Sequence, residues 1–287
     1  MRPFSSEPLR SRLSELLPRL TDAVPRGWLV TLNRFPALRS WARTGVDMLA
    51  RRTTPTGVRE VVVAAGPLQG LRLVLDFEHE GERAIWLNTY EPWVQRKLGE
   101  VTRPGHLVFE VGAYIGTYAL LIRRLAQGCR VIALEPDPRN RRRLEENLAL
   151  NGADDVVVLP DAVDAEEATV DFTSAGMHGS IGEGDEQVRT TTLDALVRKF
   201  GIPDVVLMDI QGAEAAALRG GRELLQARRT TWVVELHGHE GSLAAAALEG
   251  AGYTLETPDP RSDVERLLRR SGRTHVVARP AASLRQQ

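Results

Sequence analysis

At 287 residues, 43% hydrophobic and 26% charged, the chain has ordinary globular composition and enough length for one α/β domain plus an extension. A formal net charge of -1 excludes a general basic field for nucleic acid, and no run of eighteen apolar residues offers a membrane span. The single Cys129 excludes an intrachain disulfide and a cysteine zinc site.

The first stretch is helical in pattern. Leu9, Leu13, Leu16, Leu17 and Leu20 share one face, and Pro25–Gly27 ends the run; a second helical stretch is expected over Ala37–Arg52. These helices form either a cap on the main domain or a face that docks on a membrane or partner. Glu7, Pro8 and Glu15 interrupt the apolar run of a signal peptide, so a cytoplasmic location is expected.

From Val58 the period becomes two. Val58–Ala64, Leu71–Phe77 and Arg83–Leu87 read as short strands joined at Gly66, Gly70 and Gly81. A helix opens at Glu91-Pro92, and Pro104-Gly105 marks a boundary. The chain thus divides into an N-terminal helical extension (1–57), a strand-rich lead-in with a helix (58–104) and a main domain (105–287).

The main domain alternates regularly. Strand Leu107–Val111 leads to a helix through Gln127; strand Arg130–Leu134 leads to a helix from Pro138 to Asn151. Strands Val156–Leu159 and Val205–Ile210, helix Ala213–Ala227 and strand Thr231–Leu236 follow. Apolar strands alternating with helices predict a mostly parallel sheet covered on both faces. Tyr253–Leu255 and His275–Ala278, closer together, suit an antiparallel pair at the sheet edge.

Ligands of open α/β sheets bind at the carboxyl ends of the strands. The first core strand ends in Glu110-Val111-Gly112-Ala113-Tyr114-Ile115-Gly116, where Gly112 and Gly116 permit a tight turn with amides facing a ligand. Glu135 closes the next strand, nineteen residues past Gly116, placed to accept hydrogen bonds from ribose hydroxyls. A dinucleotide turn wants glycine where this chain has Ala113. Glu110 would repel a pyrophosphate by about 4 kcal/mol at 4 Å and an effective dielectric near 20, but attract an α-ammonium. S-adenosylmethionine, with an ammonium, a sulfonium and no phosphate, is favoured over NAD. Asp161-Ala162 either meet an adenine or belong to a solvated loop.

The ordered segments FEVGAYIGTYALL, VIALEPDPRNRRRLEENLALNG, TTLDAL, LMDIQGAEAAALRGG and VVELH, with TYEPW upstream, resemble the FkbM-type branch of class I S-adenosylmethionine-dependent methyltransferases. The resemblance covers Tyr90 to His237. It implies a Rossmann-like class I methyltransferase fold: a mostly parallel seven-stranded sheet with an antiparallel edge strand, preceded by the helical and β-hairpin extension. It implies S-adenosyl-L-methionine as cofactor, held by Glu91, Glu110, Gly112, Ala113, Tyr114, Gly116, Glu135, Pro136, Asp161, Ala162 and Asp209. It also implies a hydroxyl of a sugar, glycolipid or polyketide-type metabolite as acceptor. The chain departs from the family pattern at Tyr114 (usually Asn), Met208 (usually Lys) and Gln211 (usually Glu).

Methyl transfer from a sulfonium needs in-line positioning, and an alcohol acceptor also needs a base. Asp209, Glu235 and His237 are the expected catalytic residues, with His237 as a base near neutral pH. Glu235 and His237, two apart, are expected to reach one site only through the twist at the strand end. No metal is expected, the variant being a magnesium-like ion on Asp209 with Glu235 or His237. His239 is expected at the surface, and Arg141–Arg143 on a solvated helix face. The glycine-rich Thr173–Glu186 is either an excursion or a cover over the acceptor, with His178 and Ser180 as its contacts. Alternatives are an NAD-dependent Rossmann oxidoreductase and a non-catalytic homologue, the latter suggested by Met208 and Gln211.

Overall fold

The structure is a computed structural model and describes residues 55–281 except 64, 175–178, 183 and 185. The helices expected before residue 53, and His178, lie outside the described residues. The chain divides into two units at Pro92 and Trp93.

In the first unit, β1 (Val58–Val62) and β2 (Arg72–Asp76) form an antiparallel pair in the register Val58↔Asp76. The expected strand Arg83–Leu87 is instead part of helix α1 (Glu80–Trp86). Glu82 decides this: buried on the helix, it accepts the Asp76 N–H at 2.6 Å, while Ile85 and Trp86 are buried beside it. Five residues of mixed polarity do not separate a period of two from 3.6.

In the second unit, α2 (Pro92–Val101) begins on the expected proline. Seven strands then build the main sheet: β3 (Leu107–Val111), β4 (Arg130–Leu134), β5 (Val157–Leu159), β10 (Val205–Met208), β11 (Thr231–His237), β12 (Tyr253–Glu256) and β13 (Arg273–Pro280). Their order is β12-β13-β11-β10-β3-β4-β5. β5, β4, β3, β10 and β11 run parallel, and β13 is antiparallel to both neighbours. The antiparallel strand therefore lies one position in from the edge, between β12 and β11. This is a Rossmann-like α/β sheet.

The central strands read as continuous apolar runs because helices cover both faces. α3 (Thr117–Leu125) and α4 (Pro138–Leu150) follow β3 and β4, with Asp137 capping α4 through the N–H groups of Arg139 and Asn140. The core is centred on Phe109, Val206, Trp232 and Val234, all buried. The single helix expected over Ala213–Ala227 is two, α6 (Glu214–Arg219) and α7 (Arg222–Ala227). Gly220 separates them: a Cβ there would stand 2.3 Å from the Asp164 carbonyl oxygen, so the backbone turns where another chain segment presses on it.

A smaller sheet joins β6 (Ala162–Val163), β9 (Glu186–Thr191), β7 (Thr169–Thr173) and β8 (Ser180–Ile181). The glycine-rich segment thus contains a short strand, β8, paired antiparallel with β7. α5 (Leu193–Phe200), α8 (Gly238–Gly250) and α9 (Val264–Ser271) complete the unit.

Candidate active site

Strand register builds the site. Leu134, Val111, Met208 and Val234 are direct neighbours across β4, β3, β10 and β11. The next residue on each strand is Glu135, Gly112, Asp209 and Glu235. Four residues from distant parts of the sequence therefore stand in one row at the carboxyl ends, with adjacent strands about 4.8 Å apart. The ladder extends into that row through Asp209 N–H to Val111 O (3.0 Å) and Gly112 N–H to Leu134 O (3.0 Å).

The turn after β3 is tightly determined. Gly112 has φ +89°, and a Cβ on it would stand 2.0 Å from the Asp209 carbonyl oxygen. Glycine is required there by the neighbouring strand. Tyr114 adopts φ +49°, unusual for a bulky residue, and donates its N–H to Glu135 Oε2 at 2.7 Å. Ala113 is buried and gives its N–H to Leu134 O at 2.9 Å; Gly116 has φ +83° and opens α3. The amides of Gly112, Ala113 and Tyr114 are thus bonded within the protein.

The two acids of this region are buried, where the sequence suggested ligand-facing charges. Glu110 is 1% exposed. Burial pushes its carboxyl up to about 8, against the pull of the Ala119 backbone. Glu135 accepts from the Tyr114 and Asp137 N–H groups, and burial still raises it to about 7. Arg141 donates to the Glu135 and Pro136 carbonyl oxygens at 2.9 and 3.0 Å. Of the arginines expected on a solvated face, only Arg142 is exposed.

Asp161 pairs with Arg189 at 3.3 Å, and Ala162 packs with Phe172 and Val188 in the small sheet. Glu91 belongs to the first unit and has φ +41°. Ser174 bonds to Asp137, and Arg139 pairs with Glu186 at 2.9 Å. Both ends of the glycine-rich segment are therefore tied to the start of α4. His239 is exposed.

Asp209, Glu235 and His237 come together. His237 Nε2 lies 3.5 Å from Glu235 Oε2 and 4.0 Å from Asp209 Oδ1. No strand-end twist is needed, because residues two apart on a strand share a face. Gln211, at φ +53°, donates from Nε2 to Asp209 Oδ1 at 2.8 Å. Met208 is buried in the core and is an apolar packing position.

Three participants were not anticipated. Glu214, fully buried at the start of α6, receives the Gly212 N–H and contacts His237 Nδ1, both at 2.9 Å. Arg273 and His275 arrive on β13, where the register sets His237 opposite Arg273 and Glu235 opposite His275. Arg273 Nη1 lies 3.1 Å and His275 Nε2 3.6 Å from Glu235 Oε1. The acid opening α6 was the one signal for Glu214; nothing local marked the β13 pair.

These contacts set the charges. Burial opposes ionisation of Glu235, but His237, His275 and Arg273 outweigh it and hold the carboxyl down to about 2. Burial likewise opposes charge on His237, yet Glu214, Glu235 and Asp209 carry the imidazole up to about 10. The three surrounding acids thus favour the protonated form of His237 over the free base expected from the sequence.

A model of the methyltransferase FkbM domain matches residues 110–257. The hexuronic acid methyltransferase AglP of Haloferax volcanii is 29% identical over 151 residues, covering 50% of this chain and 61% of that protein. The 2-O-methyltransferase NoeI of Sinorhizobium fredii is 25% identical over 157 residues, covering 44% and 62%. The chain thus spans about three fifths of the length of these relatives. Among solved structures, a methyltransferase FkbM from Methylobacillus flagellatus aligns with a TM-score of 0.45 and 17% identity, over 69% of this chain and 54% of that one. With the family model covering half of the chain, from the end of β3 to just past β12, the protein belongs to the methyltransferase FkbM domain family.

Proposed function

We propose that the chain is an S-adenosylmethionine-dependent O-methyltransferase that acts on a hydroxyl of a sugar-type acceptor. The observation that carries this reading is the row Glu135, Gly112, Asp209 and Glu235. It sets a ligand turn directly beside an acid–imidazole cluster.

The residues present fit the methyl donor. Between Glu110 and Thr117 there is no Lys or Arg to meet a phosphate. At the base of the turn Glu110 offers a buried carboxyl that burial keeps protonated and that a nearby ammonium would favour in its ionised form. The bound donor supplies a methyl group on a sulfonium, a leaving group that needs no proton. The protein must align the acceptor oxygen, an effect of about 7–11 kcal/mol, and accept its hydrogen. Asp209, half-exposed and fixed by Gln211, takes the acceptor hydrogen. Glu235 is held too acidic for an effective base, and His237, already protonated, orients the acceptor oxygen as a donor.

The names of the two relatives, one a hexuronic acid methyltransferase and the other a 2-O-methyltransferase, support oxygen as the methylated atom and a sugar as the acceptor. The test is transfer of labelled methyl from S-adenosylmethionine to uronic acid glycosides, neutral glycosides and polyketide-type alcohols. Label is expected in the sugars, as a base-stable ether, and is lost with Asp209→Asn. Label confined to the polyketide-type alcohols, or no binding of S-adenosylhomocysteine, overturns the reading.

A further inference from the structure

We propose that Asp209, Glu235 and His237 bind one divalent transition-metal ion, of manganese or zinc type, whose open positions take the acceptor hydroxyl. The ion site stands on its own geometry; only the identity of its further ligand rests on the function proposed above.

One donor atom from each residue lies within 4.8 Å of the others. Two atoms that each sit about 2.0–2.2 Å from one ion are at most about 4.4 Å apart. The separations of 3.5 Å from His237 Nε2 to Glu235 and 4.0 Å to Asp209 fall inside that limit.

The tautomer of His237 is fixed from behind. Glu214 Oε1 accepts the Gly212 N–H, so it is an acceptor toward His237 as well, and Nδ1 must be the donor. In the neutral imidazole the lone pair then lies on Nε2, which is turned toward Asp209 and Glu235. A buried carboxylate holding the far nitrogen of a histidine is the usual outer support of a metal ligand.

Glu235 supplies the second observation. It is 2% exposed, and neither oxygen has a hydrogen-bond donor, nor does His237 Nε2. Its charge is balanced by ion pairs, yet none of them makes a hydrogen bond to either oxygen, which leaves lone pairs for an ion. Arg273, itself 57% exposed, approaches Oε1 from the solvent side, and His275 lies on the same oxygen. Oε2 faces His237.

The charges agree. Asp209, Glu214 and Glu235 bring three negative charges against the one positive charge of Arg273, so with both histidines neutral two remain, matching a divalent ion. The imidazole suits zinc and the two carboxylates suit manganese, so the mixed donor set fits these ions better than calcium, which takes oxygen ligands alone. Binding displaces a proton from Nε2, so in the ion-bound protein His237 and Asp209 are ligands and no longer the donor and base they are in the ion-free chain.

The test is Mn2+ titration of the EDTA-treated full-length protein, reading free aqueous Mn2+ by electron paramagnetic resonance. One ion per chain is expected. Glu235→Gln and His237→Ala should each weaken binding at least about tenfold, as should Glu214→Gln through the lost support. Asp209→Asn, at the most exposed of the three positions, gives the same loss with least risk to folding. Circular dichroism and S-adenosylhomocysteine binding check that each variant is folded. Mn2+ left free by the wild type, or bound equally by all the variants, overturns the proposal. If Mn2+ stays free while labelled methyl still reaches a sugar in EDTA, the ion site falls and the methyltransferase reading stands. Mn2+ bound with no methyl transfer to any acceptor separates the two in the opposite sense.

Discussion

His237 Nδ1 and Glu214 Oε1 meet at 2.9 Å, with Glu214 fully buried at the first turn of α6. Neither residue is near the other in sequence, yet the pair fixes the ring that faces Asp209 and Glu235. Removing one partner of a buried pair costs about 3–5 kcal/mol. Glu214→Ala should lower unfolding free energy by that amount in urea titrations. Glu214→Gln, which keeps an acceptor for Gly212, should cost about 2 kcal/mol. Equal stability of both variants and wild type would show that the pair does not hold the ring.

Gly112 and Gly116 both have positive φ, but they answer to different neighbours. A Cβ at Gly112 meets the Asp209 backbone oxygen at 2.0 Å, whereas one at Gly116 meets the side-chain Cδ1 of Leu144 at 2.4 Å. Backbone in a strand cannot retreat; a leucine rotamer can. Gly112→Ala should therefore cost more than about 3 kcal/mol, and Gly116→Ala about 1–3 kcal/mol, mostly strain. Thermal unfolding of the two variants checks the order.

The buried carboxyl of Glu110 makes stability depend on pH. Burial lifts it from 4.5 to about 8, so the folded chain keeps a proton that the unfolded chain releases. Its contribution is complete below pH 4.5 and is lost as pH rises through about 8. Ligand-free protein should become less stable over that interval, by at most about 1.4 kcal/mol per pH unit. Glu110→Gln should flatten the profile, measured as unfolding free energy against pH. A profile unchanged by the substitution would assign the slope to other groups.

Gln211 keeps a neutral donor beside Asp209. Its amide donates to Asp209 Oδ1 at 2.8 Å, and a glutamate there would set two carboxylates at that distance. Like charges so close do not both stay ionised. Gln211→Glu should leave stability near wild type at pH 5, where the pair shares a proton, and lower it by about 1–3 kcal/mol at pH 8. Denaturant midpoints at the two pH values decide this.

The sequence was most readable where strands are buried on both faces. Leu107–Val111 and Arg130–Leu134 have the expected limits because apolar runs between glycine turns leave no choice of register or length. It was least readable where a distant contact decides. Glu82 turns a short mixed segment into a helix by reaching Asp76, and the Asp164 carbonyl breaks the helix at Gly220. The site divides in the same way. Asp209, Glu235 and His237 follow from the rule that ligands meet the carboxyl ends of strands. Arg273 and His275 depend on an antiparallel register set some forty residues later in the chain, which no local pattern states.

The contact between Gly112 and the Asp209 carbonyl ties the donor side of the cleft to its chemical centre as one rigid block. Variation that changed the acceptor could not easily enter there without disturbing the donor. It has freer access along β13, which reaches the cleft from the opposite direction and brings Arg273 and His275 without touching that turn. Substitutions along β13 can therefore reshape the Glu235 side of the cleft while the Gly112 turn stays fixed.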